Sequence, residues 1–174
     1  MCSSDLVVVI GVLEAVVVAI GLSILDLLRR VARPHDAVLG FVEGLAGMHD
    51  TADYPEVRVL PGLVVYRYDS PLCFANAEDF RTRALAAAAS AEQPVTWFVI
   101  NAEAFNDIDF TALAALESLR RELSDRDVVL GVARLKHELE VLLERSGFIE
   151  RIGRSHVFPT LPTAVDAFER TRPH

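Results

Sequence analysis

Apolar residues fall into three regimes along the chain. From Leu6 to Leu25 they run almost unbroken, with Glu14 the single charge, and the run continues through Leu28 past Asp26. At 1.5 Å per residue, twenty such residues span roughly 30 Å, the thickness of a bilayer core. The pattern predicts a transmembrane helix over residues 6–28. From residue 34 to 55 apolar positions scatter among Gly40, Gly44, Gly47, His49 and Asp50 without sustained period. That stretch reads as a linker with at most a short turn of helix. From Glu56 onward, short β-rich runs alternate with helical periods, the order of an α/β domain.

Within that third regime the elements can be placed. Residues 57–60 and 63–68 flank Pro61-Gly62 and predict a hairpin, and residues 72–75 a short third strand. Asn76 followed by Glu78 and Asp79 predicts a capped helix through Ser90. Residues 95–100 are almost wholly apolar, as in a strand covered on both faces. Leu113, Leu116, Leu119 and Leu123 form one stripe of a helix over residues 110–124, and Phe110 falls in phase to join it. A buried strand over 128–133 and a helix over 135–145 closed by Gly147 follow. An edge strand at 156–158 and a last helix from Thr160 and Pro162 to Thr171 complete the pattern. The predicted class is α/β, a mixed β-sheet with about four α-helices, preceded by one transmembrane helix.

Flanking charge orients the apolar run. Arg29, Arg30 and Arg33 follow it directly, which puts everything from Arg29 onward in the cytosol by the positive-inside rule. The first five residues carry Asp5 and no Lys or Arg, so a secretory signal is disfavoured. An ionisable group in mid-span needs protein partners or water, and one helix offers Glu14 neither. The expectation is therefore a fragment, its helix belonging to a bundle outside this chain.

Composition then narrows the function. The 174 residues suit one domain plus an appendage. The net charge of −8 lies entirely in residues 34–174, since residues 1–33 hold three acids and three arginines. An acidic domain disfavours nucleic acid as a partner. Two cysteines, Cys2 and Cys73, provide neither a disulfide framework nor a cysteine zinc site. There is no P-loop, no dinucleotide fingerprint, no HExxH and no nucleophile elbow, and the five histidines are scattered. The reading is of a protein that is not an enzyme and has no cofactor or metal. One loop concentrates chemistry: Asp107, Asp109, Phe110 and Thr111, between the buried strand and the following helix. An aspartate at a helix start is more often a cap than an acid or base, by about three to one.

That loop, in this order of strands and helices, resembles a STAS domain, shared by anti-sigma-factor antagonists and the cytoplasmic tails of SulP-type anion permeases. The antagonists carry an Asp-Ser-Ser/Thr-Gly-like motif whose serine accepts phosphate. Asp109-Phe110-Thr111-Ala112 lies over it, so Phe110 takes the phosphoacceptor place. Residues 11–30 and 33–40 are similar to the final membrane helix and connector of the permeases, and residues 66–77 to their lead into the first STAS helix. The resemblance implies three parts: a transmembrane helix over 6–28, a juxtamembrane linker over 29–53 and a STAS domain over 54–172. It implies a regulatory and assembly role in a sulfate-type anion transporter of the plasma (inner) membrane, with the STAS domain cytoplasmic. The partners implied are the lipid bilayer and the transporter's remaining membrane helices, a homodimer, and a nucleotide or protein regulator at the loop. A membrane-tethered, antagonist-like signalling module is the alternative.

Overall fold

The computed structural model describes residues 11–42, 47–51 and 56–171. It divides into two compact units, residues 1–33 and 34–174.

The first unit contains helix α1, Val12–Ala32. Ser23 Oγ donates to Ala19 O at 2.8 Å within it. Among the described residues no helix is long and apolar enough to cross a membrane, which corrects the expected span. The reason lies in the charges: α1 carries Glu14, Asp26, Arg29 and Arg30. Each costs on the order of 2.5–3.5 kcal/mol at a helix centre. Residues 6–10 of the expected span lie outside the described residues. Several readings rested on that span and are withdrawn with it. They are the cytosolic orientation of Arg29 onward, the bilayer and membrane-helix partners, plasma-membrane localisation and a membrane-tethered module.

The second unit is built on a six-stranded sheet in the order β2-β1-β3-β4-β5-β6. The strands are β1 Asp36–Phe41, β2 Met48–Asp50, β3 Leu63–Tyr68, β4 Trp97–Asn101, β5 Val129–Ala133 and β6 Val157–Phe158. β1 runs antiparallel to both β2 and β3, whereas β3 to β6 are mutually parallel. The helices are α2 Ala77–Ala89, α3 Phe110–Ser124, α4 His137–Arg145, α5 Phe148–Ile152 and α6 Leu161–Thr171. Among the described residues there are thus six α-helices, five of them in this unit against about four expected there.

Strand alternation explains the layers. Val64, Tyr66 and Tyr68 of β3 point to one face with Phe98 and Ile100 of β4, where Phe80, Leu116, Leu119, Leu139 and Phe148 of α2 to α5 cover them. Leu63 and Val65 point to the other, with Trp97 and Val99, under Leu161, Val165 and Phe168 of α6. β4 is covered on both faces and is buried at every position, hence its unbroken apolar run.

Residues 34–55 differ most from expectation, since β1 and β2 lie where the sequence suggests a linker. Residues 57–60 form no hairpin arm; Arg58 makes one isolated bridge to Phe41. Residues 72–75 form no strand of the sheet; Leu72 makes one isolated bridge to Ile108, in the loop that follows β4. Helix 135–145 is followed by a second short helix, α5, beyond Gly147 at φ 74°. That left-handed conformation suits glycine.

Candidate functional site

The loops leaving β3, β4 and β5 meet at the carboxyl end of the parallel strands, the edge where α/β folds place their sites. The first loop is shaped by Asn76, which is buried and does not cap α2 as expected. Its Oδ1 accepts from Cys73 N–H at 2.9 Å, and its Nδ2 donates to Pro71 O at 3.0 Å. The second loop is anchored by Phe105, 2% exposed, whose ring meets Phe80 edge-on at 5.8 Å. Arg134 of the third loop donates to Glu103 at 2.6 Å, and Lys136 bonds Asn106.

Asp109 joins the first two loops. Its Oδ1 accepts from Ala112 N–H at 2.8 Å, capping α3. Its Oδ2 accepts from Phe74 N–H at 2.6 Å. One carboxylate therefore satisfies a helix N-terminus and fixes the neighbouring turn. Asp107 is exposed and turns back on its own loop, Oδ1 accepting from Ile108 N–H at 2.8 Å. The two carboxylates serve backbone donors rather than each other. Thr111 is exposed and does not supply the cap.

Phe110 departs from its expected place. It is 86% exposed, outside the stripe formed by Ala112, Ala115, Leu116, Leu119 and Leu123. At the first helical position the chain is still turning out of the loop, so periodicity within the helix does not fix its direction. Phe74, missed in the sequence reading, is 76% exposed on the facing turn. With Val59, they are the exposed large hydrophobic residues of the second unit among those described. Nothing in composition marks Phe74, because its exposure follows from the Asn76 turn. Among the described residues no cluster of three His, Cys, Asp or Glu side chains could hold a metal ion.

Beneath this surface two tyrosines tie β3 to its surroundings. Tyr66 Oη donates to Asp36 at 2.7 Å and Tyr68 Oη to Asp79 at 3.1 Å. Burial, reinforced by those carboxylates, pushes both phenols well above the ordinary tyrosine value. Arg83 bonds Asp36 and lies 3.4 Å from Asp79, linking the two pairs.

A mixed sheet with helices on both faces, an aspartate-capped helix and an aromatic loop surface at the strand ends define an α/β module with a candidate contact surface. The STAS domain model matches residues 54–164, and the chain belongs to that family. STAS domains are a non-catalytic regulatory family, and the protein is not an enzyme. A probable sulfate transporter of Mycobacterium tuberculosis is 56% identical over 161 residues, which is 92% of this chain and 29% of that protein. Sulfate transporter 1.3 of Arabidopsis thaliana is 30% identical over 169 residues, 92% of this chain and 26% of that protein. The chain thus spans under a third of the length of these relatives. The fold matches murine Solute Carrier 26 family member A9, an anion transporter in the inward-facing state. That match has TM-score 0.78 and 22% identity and covers 91% of this chain and 26% of that one.

Proposed function

We propose that the chain serves as the regulatory and assembly STAS domain of a sulfate-type inorganic anion transporter, contacting a protein partner through Phe74 and Phe110. The observation that carries the reading is the exposure of both rings, 76% and 86%, on loops held together by Asp109. Holding a phenyl ring in water forgoes roughly 1.5–3 kcal/mol of burial. Exposed aromatics on a rigid platform are the usual anchors of protein interfaces. The names of the relatives supply the transport context.

A nucleotide at the start of α3 is the weaker occupant. Asp109 already takes the Ala112 N–H, and its charge opposes phosphate. The antagonist type of phosphorylation has no hydroxyl to act on at Phe110.

Sulfate uptake by cells that express the transporter tests the proposal. Phe74→Ala with Phe110→Ala should change uptake or its regulation several-fold, with expression and thermal stability unchanged. Uptake and regulation indistinguishable from wild type would remove the interface from consideration.

A further inference from the structure

Far from the loop surface, a cavity of about 350 Å³ opens at the amino end of β5, lined by Arg120, Ser124, Asp127, Arg151 and His156. That volume holds a tetrahedral oxyanion together with several waters, each occupying roughly 30 Å³. Two guanidiniums converge there on one carboxylate. Arg120 Nε and Nη2 reach Glu117 Oε1 at 3.1 and 2.8 Å, and Arg151 Nε reaches Glu117 Oε2 at 3.0 Å. Burial alone would raise the Glu117 carboxyl, but hydrogen bonds from both arginines hold it below the ordinary range. Arg120 and Arg151 bring two positive charges to the cavity wall, balanced by Glu117 and Asp127, and Arg151 also donates Nη2 to Ser146 O at 3.2 Å, so recognition there rests on directed donors rather than on net charge. Arg120 spends Nε and Nη2 on Glu117, so Nη1 remains available to a ligand.

The remaining groups select among anions. Asp127 is exposed on the cavity wall, where Asp127 N–H bonds Ser124 O at 3.0 Å and Val128 N–H bonds Leu123 O at 2.9 Å. A carboxylate only accepts hydrogen bonds. His156 Nδ1 lies 2.6 Å from Ile152 O, a carbonyl that also only accepts, so this nitrogen carries the proton. In the neutral ring Nε2 is then a second acceptor. Sulfate brings no proton and would set lone pairs against these acceptors. Hydrogen phosphate has the same shape and charge and one proton to donate.

We propose that this cavity binds inorganic hydrogen phosphate, held by Arg120 and Arg151 and selected through its proton by Asp127. The site is separate from the Phe74–Phe110 surface and stands or falls independently of it.

The test is calorimetric titration of the full chain with phosphate, sulfate and phenyl phosphate at about pH 8. There a phosphate monoester, with a second pKa of roughly 6, has lost both protons. Inorganic phosphate retains one. Phosphate should saturate, with sulfate and phenyl phosphate weaker by about tenfold, the value of one charged hydrogen bond. Arg120→Gln should weaken phosphate by about the same factor. Glu117→Gln, which removes the competing carboxylate, should tighten it. Asp127→Asn should bring sulfate close to phosphate. The Asn variant tolerates the native φ of 57° and so should fold even where an arginine variant does not. Failure of phosphate to saturate, equal binding of phosphate and sulfate by wild type, or unchanged selectivity in Asp127→Asn would each overturn the assignment.

Discussion

Asp109 concentrates two tasks in one side chain, and substitutions around it should separate them. Asp109→Ala removes the cap on Ala112 N–H and the bond to Phe74 N–H together. It should destabilise the domain by about 1–2 kcal/mol, within the range for lost caps. Thr111→Ala should be near neutral, because its exposed hydroxyl does not cap the helix. Phe110→Ser should change stability by less than about 0.5 kcal/mol, since its ring is 86% exposed. A buried ring would instead have cost up to roughly 3–5 kcal/mol. Urea unfolding of the three variants distinguishes these outcomes, and a large loss for Phe110→Ser would place the ring in the core. Asp109 as a cap was readable from its position before a helix. The outward direction of Phe110 was not, because the stripe constrains residues inside a helix and says little about the one that opens it.

Elements with a strong internal period were legible. Residues 110–124 form α3 as the leucine stripe requires, and the apolar run near residue 97 forms the doubly covered β4. β1 and β2 were not. β1 is six residues long, contains Gly40 and takes its form from pairing with β3 and β2. Strand formation of that kind depends on partners distant in sequence, which local propensity does not encode. The error matters for where the domain starts. A chain beginning at residue 54, near the start of the family match, would lack β1 and β2 and leave β3 as an open edge. It would also lose Asp36, the acceptor for Tyr66 Oη. We expect residues 34–174 to unfold cooperatively and residues 54–174 to aggregate or melt without a cooperative transition. A cooperative transition of equal midpoint in the shorter chain would show that β1 contributes nothing.

For the molecule as a whole, buried phenols set the alkaline limit of stability. Tyr66 and Tyr68 are fully buried, and their folded pKa values lie above the unfolded value of about 10. Above that pH the unfolded chain releases protons that the folded chain retains. The contribution is intact below about pH 10 and is lost as pH rises. The slope should approach about 2.7 kcal/mol per pH unit while both phenols ionise only on unfolding. Tyr66→Phe should halve it, and an unchanged slope in alkaline urea titrations would exclude the buried phenol as its source. Glu117 works in the opposite sense. Its lowered pKa stabilises the fold above the ordinary carboxylate value, and that stabilisation is lost as pH falls through the folded value.

The layered arrangement also bears on synthesis. From β3 to β6 the strands stand in the sheet in the order in which they occur along the chain. Each strand leaving the ribosome therefore finds its neighbour already made, and the sheet can grow by accretion at one edge. The helices arrive unevenly. α2 to α5 cover one face as it forms, whereas Leu63, Val65 and Val99 on the other wait for α6. A nascent chain that has finished β5 carries an apolar face open to water until α6 emerges. That interval is when the protein is most exposed to aggregation and to chaperones.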